Sequence, residues 1–325
     1  MFESVLSFIE SHKSFVLTTH DSPDADGLGA ELVMASILKN AGKDVKIINS
    51  SPIPEYLQFL ITEKKQEIDV WDPDRHKPFV KSSVILVLDT SEEIHLGTVR
   101  EALKLSKENF IIDHHEPKPI SKLTGFIDSA ASSTSELTIE LACLTGTELD
   151  PQTATAAYAG IVLDTGFFAY PKTTERTFKA AIKTLEWGAA PNRIYRQLME
   201  NSSCAAVLLQ RQALSNLEFL SGKRIALIIL KKEDFEISGA EFEDVENIVN
   251  IPLKAREVEV SLLLKEKGSG EVFCSLRSKG KVNVSKIAQN FGGGGHVTAA
   301  GFRSVSNLDE TVKNLLDCVE SRLNM

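Results

Sequence analysis

Short apolar runs alternate with longer stretches of helical periodicity through the first half of the chain. Phe15-Val16-Leu17-Thr18-Thr19, Asp44 to Asn49, Ser83 to Leu88 and Asn109 to Ile112 read as strands. The last two are β-branched-rich and apolar on both faces, the signature of central strands covered by helices on each side. Leu28 to Ala41 has a helical pattern closed by Gly42, which leaves a polar loop from His20 to Gly27. Ser132-Ser133-Thr134 is an N-cap cluster for a helix through Thr145, and further helices are expected over Pro151 to Leu163 and Thr174 to Gly188. Strands alternating with helices in this order predict an α/β fold, a parallel sheet with helices on both faces.

Pro191 to Leu220 reads as one long amphipathic helix with Asn201-Ser202-Ser203 in its middle, an arm joining two domains. From Lys223 the pattern changes. Arg224 to Leu230, Glu257 to Leu264 and Val272 to Arg277 read as strands, Asn283 to Phe291 as a helix broken by Gly292 to His296, and Asp309 to Arg322 as a terminal helix. The expected layout is a first domain over 1–190, a helical linker over 191–222 and a smaller α+β domain over 223–325.

Composition narrows the class. The 325 residues carry 36 basic and 45 acidic side chains, net −9, and are 42% hydrophobic. That is an ordinary globular balance, with enough apolar residues for a core. No apolar run reaches the ~18 residues of a membrane span, and the first residues, MFESVLSFIESHKSF, place acids and hydroxyls where a secretion signal needs an apolar stretch. The expectation is a soluble cytoplasmic protein with no membrane partner. The four cysteines form no CxxC pair and read as thiols in a reducing compartment. Global acidity argues against coating long nucleic acid, while a bound cation can still invert the local field for an anionic substrate.

The acids and histidines fall at strand ends. His20, Asp24 and Asp26 follow the first strand, Asp89 ends Ser83 to Leu88, Asp113-His114-His115 end Asn109 to Ile112, and Asp164 follows the apolar end of a helix. Carboxyl ends of parallel strands share one edge, where sites form. A single Asp after a strand is usually a cap or turn former, and His12, His76 and His95 read as structural. Convergence of the whole set is a different matter, because five carboxylates would repel strongly without compensating charge. Asp oxygen with His nitrogen suits Mn²⁺, Co²⁺ or Fe²⁺, and the surplus of ligands suggests two ions about 3.5–4 Å apart. The spacing His20-x₃-Asp24-x-Asp26 lets one loop reach both, with Asp89 as the natural bridge.

A second cluster is Gly292 to His296 followed by Ala299-Ala300-Gly301. Glycines let backbone amides approach a ligand closely and form an anion nest. Between Glu271 and Arg303 the chain carries Arg277, Lys279, Lys281, Lys286 and Arg303 against the one acid Glu271. A basic patch beside a glycine loop reads as a phosphate clamp, although Lys279 and Lys286 fit an ordinary solvated face.

The ordered set His20-x-x-x-Asp24-x-Asp26, Asp89, Asp113-His114-His115, Ser132-Ser133-Thr134 and Asp164-Thr165-Gly166 resembles the motifs of the DHH phosphoesterases. Ser275-Leu276-Arg277-Ser278 and GGGGHxxAAG resemble the DHHA1 domain that accompanies them. The resemblance spans almost the whole chain, and with no extra domains it is most similar to the stand-alone branch of oligoribonuclease and pAp (adenosine 3′,5′-bisphosphate) phosphatases. It implies one metal held by His20, Asp24 and Asp89, and a second by Asp26, Asp89, His114 and Asp164. Mn²⁺ is the usual ion, with Co²⁺ or Mg²⁺ as alternatives. It also implies His115 behind the metals on the scissile phosphate, and Ser133, Arg277, Gly293, Gly294, Gly295 and His296 gripping the substrate. Phe167-Phe168 and Tyr170 could offer rings for stacking a base, or could simply pack the core. Two departures stand out. Gly27 replaces a more usual aliphatic residue, which should loosen the loop, and Glu116-Pro117-Lys118 follows the histidines where many relatives carry an Asn-containing stretch.

The expected reaction is metal-assisted hydrolysis of short oligoribonucleotides and pAp, by attack of a deprotonated water bridging the two ions. A homodimer is a further expectation from the family. Rival readings are a RecJ-like single-strand exonuclease, a pyrophosphatase, a phosphodiesterase for cyclic or linear dinucleotides, and a nucleotide-binding module that has lost catalysis. Against the last stands the completeness of the ligand set.

Overall fold

Six parallel strands carry the first half of the chain: β1 (Ser14–Thr18), β2 (Asp44–Asn49), β3 (Ile68–Val70), β4 (Val84–Leu88), β5 (Asn109–Asp113) and β6 (Gly125–Ile127). They lie in the order β3-β2-β1-β4-β5-β6. The order therefore reverses between β1 and β4, and at such a switch point the carboxyl ends of neighbouring strands open a crevice. His20 lies just beyond β1 and Asp89 just beyond β4. The computed structural model describes residues 2–61, 68–116, 123–242, 244–245, 247–267 and 270–323. Its contacts divide the chain into two units, Met1–Glu200 and Asn201–Met325.

The central strands are buried on both faces because alternate side chains enter two different cores. Leu17, Leu86 and Leu88 join Met34, Ala156 and Ile161 on one side, whereas Val16, Ile85 and Val87 join Trp71, Val80 and Leu96 on the other. The helices of this unit are α1 (Glu3–Ser11), α2 (Ala25–Asn40), α3 (Pro73–Ser82), α4 (Arg100–Leu103), α5 (Thr134–Thr145), α6 (Pro151–Asp164), α7 (Glu175–Glu186) and α8 (Pro191–Met199). The edge strands β3 and β6, three residues each, lack the apolar run that made the central strands visible in the sequence.

Helix α2 begins at Ala25, three residues earlier than its apolar pattern predicts. Asp24 caps it, accepting the N–H groups of Asp26 at 2.9 Å and Gly27 at 3.0 Å, so Asp26 sits in the first helical turn rather than in a loop. Gly27 does not loosen this segment as expected. A side chain there would overlap the buried Thr19 hydroxyl, so the absence of a Cβ lets helix and strand end meet.

The packing of α2 on α6 depends on the same device. A Cβ on Gly29 would stand 2.8 Å from the Ala156 carbonyl, and one on Gly160 would stand 2.9 Å from Asp26 Oδ1 and 3.0 Å from its Cα. Gly160 thus lets α6 pass against the first turn of α2, carrying Asp164 at its end toward Asp26.

The single helix expected over 191–220 is two helices and a strand. Helix α8 ends at Met199, α9 spans Cys204–Ser215, and β7 spans Glu218–Leu220. The mid-helix serines are the reason: Ser203 accepts the Ala206 N–H at 3.0 Å and so starts a new helix. The second unit continues with β8 (Ile225–Leu230), α10 (Lys232–Ser238), β9 (Val260–Glu266), β10 (Val272–Ser278), α11 (Val284–Gln289), β11 (Gly294–Gly295), β12 (Ala299–Ser304) and α12 (Leu308–Leu323). Its sheet runs β11-β12-β10-β9-β8-β7, with β8 and β9 parallel and the other pairs antiparallel. Helices α11 and α12 cover one face, and α9 covers the other.

Gly160→Ala decides whether this close approach matters. In an unconstrained helix, alanine is the more stable residue by about 0.5–1 kcal/mol. Here the Cβ would meet Ser135 and Asp26, so a destabilisation of about 1–3 kcal/mol is expected in chemical denaturation. A stabilised variant would show that the helices are free to part.

Candidate metal centre

Three strand ends and two helix ends converge on one cluster. Asp89, directly after β4, takes a left-handed backbone (φ 62°) and is buried, with its Oδ1 accepting the Thr134 hydroxyl at 2.9 Å. His20 Nε2 lies 3.5 Å from Asp24 Oδ2 and 3.7 Å from Asp89 Oδ2. His114 Nε2 lies 3.1 Å from Asp164 Oδ2, 3.6 Å from Asp89 Oδ1 and 3.9 Å from Asp26 Oδ2. The ligand-type atoms of His20, Asp24 and Asp89 fall within 4.8 Å of one another, as do those of Asp26, His114 and Asp164. Asp89 also falls in a third such set, with His114 and His115. Every acid and imidazole that the sequence places in the two ligand sets is therefore in this cluster.

Each side chain is aimed by its neighbours. Asp26 receives the N–H groups of Thr134 at 2.7 Å and Ser135 at 2.8 Å, the first free amides of α5, on its two oxygens. The Nδ1 of His114 faces the Ala131 carbonyl at 3.4 Å, while its buried Nε2 has no hydrogen-bond partner. An imidazole whose Nδ1 carries the proton presents a free lone pair at Nε2, which is what a metal ligand needs. Asp113 lies fully buried and accepts the His115 Nδ1–H at 2.8 Å and the backbone N–H groups of His114 and His115. It thus positions both histidines and is not itself in any of these sets.

Thr134 enters the sequence reading only as part of the Ser132-Ser133-Thr134 cluster, and Asn49 and Glu31 lie outside it as site residues. Thr134 contacts both Asp26 and Asp89, whereas its neighbour Ser133 is fully buried and caps α5 by accepting the Glu136 N–H at 3.0 Å. Beneath His20, Asn49 Oδ1 accepts the Thr19 N–H at 3.2 Å, and Asn49 Nδ2 donates to the buried Glu31 at 3.0 Å. A polar residue ending the apolar strand Asp44 to Asn49 was the available signal. Pro117 and Lys118 lie outside the described residues.

The remaining expected site residues lie in the second unit. Arg277 on β10 pairs in register with Ala299, whose carbonyl accepts the His296 N–H at 2.6 Å, so arginine and glycine loop are neighbours there. The loop is less free than its glycines suggest. The amides of Gly292 and Gly293 donate to Gln289 and Ala288, and Gly294-Gly295 pair with β12. A Cβ on Gly293 would overlap the Gly301 carbonyl, so these glycines serve a close strand contact. The basic patch is partly neutralised, with Lys281 on Glu259 at 2.8 Å and Arg303 on Glu271.

The electrostatics show strain without a counter-ion. Burial, then Asp26 and Asp24, push Asp164 up to about 8. Burial and the same neighbours hold Asp89 well above the usual carboxylate range. Burial disfavours a charged His20, but Asp24 and Asp89 outweigh it and raise its pKa to about 11. Burial lowers His114, and the Asp113 hydrogen bond raises His115. Protons therefore occupy positions that a divalent cation would take. Metal binding should release protons between pH 7 and 9, and apparent affinity should rise with pH by about tenfold per unit for each proton displaced. Calorimetric titration with Mn²⁺ in buffers of different ionisation enthalpy measures this. Identical heats in all buffers, with affinity flat across that window, would contradict the cluster as a metal site.

Comparison with known proteins bears on the family and the fold. A bifunctional oligoribonuclease and PAP phosphatase NrnA of Thermus thermophilus is 29% identical over 310 residues, covering 94% of this chain and 89% of that protein. The protein of the same description from Bacillus subtilis is 28% identical over 316 residues, 95% of each chain. A crystal structure of an exopolyphosphatase-related protein from Bacteroides fragilis superimposes with a TM-score of 0.85 at 28% identity, covering 98% of this chain and 94% of that one. Residues 14–161 match the N-terminal domain of the DHH family and residues 228–324 match the DHHA1 domain. The chain is a hydrolase-type member of the DHH phosphoesterase family, with a DHHA1 domain behind its DHH domain.

Proposed function

We propose that this protein hydrolyses short oligoribonucleotides to mononucleotides and removes the 3′-phosphate of pAp, using two divalent ions of which Mn²⁺ is the preferred one. The observation that carries the reading is the pair of ligand sets, His20/Asp24/Asp89 and Asp26/His114/Asp164, side by side at the switch point of a parallel sheet. The buried, partnerless Nε2 of His114 and the raised carboxyls fit the group they would hold. Such ions, when bound, activate a water and offset charge on the phosphoryl oxygens.

The chain's own residues do the rest. Asp89 faces both sets, and Thr134 fixes its orientation. His115, half exposed and held by Asp113 with its pKa raised, is a hydrogen-bond donor to a phosphoryl oxygen or a leaving group. In the second unit, Arg277 and the exposed Gly294, Gly295 and His296, with Gly293 packed behind them, supply the contacts proposed for the substrate's distal phosphate and terminal nucleotide. Ser133 enters the proposal through its cap on α5, whose first amides orient Asp26. Four free cysteines accord with a reducing cytoplasm, and no helix among the described residues is long and apolar enough to cross a membrane.

The test is hydrolysis of a labelled dinucleotide, a pentanucleotide and a strand of about 24 nucleotides, with pAp alongside, in Mn²⁺ and in chelator. The dinucleotide and pAp are expected to turn over only with metal. Asp89→Ala should lower kcat by more than the about 10- to 100-fold typical of residues that merely support a ligand. Preference for the longest strand would replace this reading with a RecJ-like exonuclease.

A further inference from the structure

Directly after Asp164 the backbone does something unusual. Gly166, Phe167 and Phe168 are three successive residues with positive φ (55°, 58° and 64°). Two bulky aromatics in the left-handed region are strained, at about 1–2 kcal/mol each, and persist only where packing enforces them. Phe168 is held by stacking on Phe178 with centroids 5.1 Å apart and by an edge contact with Tyr158, and the Tyr170 ring lies against Gly166. The turn sends the chain back toward the cluster. Lys172, eight residues beyond Asp164, there places its Nζ 3.3 Å from the His114 carbonyl.

That ammonium has no role among the ligands, so its charge needs an explanation. Among the described residues, the basic groups close to the cluster's carboxylates are all imidazoles, with no lysine or arginine among them. Once two divalent ions are bound, Asp24, Asp26, Asp89 and Asp164 balance them, and Asp113 is engaged by His115. The loaded centre then has no surplus positive charge for an arriving anion. Lys172 supplies one, and with three donors on Nζ it can keep the His114 carbonyl while pointing another N–H at a ligand.

We propose that Lys172 is a substrate-binding residue that meets the phosphoryl group at the metal centre and favours a terminal phosphomonoester over an internal phosphodiester. The monoester carries nearly two charges at neutral pH and the diester one, so a point cation discriminates between them. This inference rests on the phosphoesterase reading above and assigns the substrate class that the DHH-domain side of the site prefers.

The experiment compares Lys172→Gln and Lys172→Arg with the unaltered protein in three measurements: kinetics on pAp and on a linear dinucleotide, Mn²⁺ affinity, and binding of inorganic phosphate to the Mn²⁺-loaded protein. For Lys172→Gln, KM for pAp should rise about tenfold and that for the dinucleotide by about threefold or less. Phosphate affinity should fall about tenfold and lose most of its salt dependence. Mn²⁺ affinity should stay constant or tighten, because a competing cation has gone. Lys172→Arg should restore most of the phosphate affinity. Weakened Mn²⁺ binding with equal losses on both substrates would overturn the proposal, since Lys172 would then act only as a tether on His114. Unchanged kinetics and phosphate binding would overturn it as well. If the unaltered protein turns over neither nucleotide while phosphate binding still depends on Lys172, the substrate reading fails and Lys172 stands as an anion contact.

Discussion

Asp26, Asp89 and Asp164 are mutually repelling carboxylates brought together by the ends of a helix, a strand and another helix. Nearly everything else in the first unit can be understood as a means of holding them there. Burial and then Asp26 raise the proton affinity of both Asp89 and Asp164, and Asp164 adds to the effect on Asp89. A fold that only minimised its own energy would separate these groups or replace them. Retaining them buried makes sense when a cation supplies the missing charge, since buried charge is tolerated when paired or coordinated. The price in apo stability is the clearest physical trace of what the site is for.

The scaffold fixes the carboxylates by rigid elements. Helix N-terminal amides hold Asp26 and Asp24, a hydroxyl holds Asp89, and a second carboxylate, Asp113, holds the two histidines at the end of β5. The α2–α6 contact through Gly29 and Gly160 brings the last candidate ligand, Asp164, into range. These interactions lie outside the ligand set itself. Ligands on such supports are preorganised, so less order has to be imposed when a cation or a phosphate arrives.

Much of this was legible before any coordinates. Apolar runs marked β1, β2, β4 and β5 because central parallel strands need no polar face, and acids at their ends marked the site edge. What stayed hidden had weaker local signals. The three-residue strands β3 and β6 carry little pattern, and the start of α2 was set by the Asp24 cap instead of by hydrophobicity. The break at Ser203 looked like helix because amphipathic periodicity continues across it, while a single serine decides where the hydrogen-bond ladder restarts. Thr134 is legible only as part of the cap cluster, Asn49 only as a polar end to an apolar strand and Glu31 not at all, because their support of the site is made by tertiary hydrogen bonds. Lys172 was hidden for a related reason: its position depends on three left-handed residues whose conformation no propensity would suggest.

The candidate ligands are scattered from His20 to Asp164, with the last one at the carboxyl end of α6. The segment from His20 to Asp26 holds three of the six, but closing the centre still requires contacts of long sequence separation, which form slowly in parallel α/β sheets. A chain emerging from the ribosome would hold His20, Asp24, Asp26, Asp89 and His114 well before α6 docks. In the proposed centre Asp164 is the last of the six residues to be synthesised, and a chain interrupted before it would lack that residue. The order of residues along the polypeptide thus places all six strands of the sheet ahead of Asp164, so the proposed centre cannot be complete before the sheet that confines it has been made.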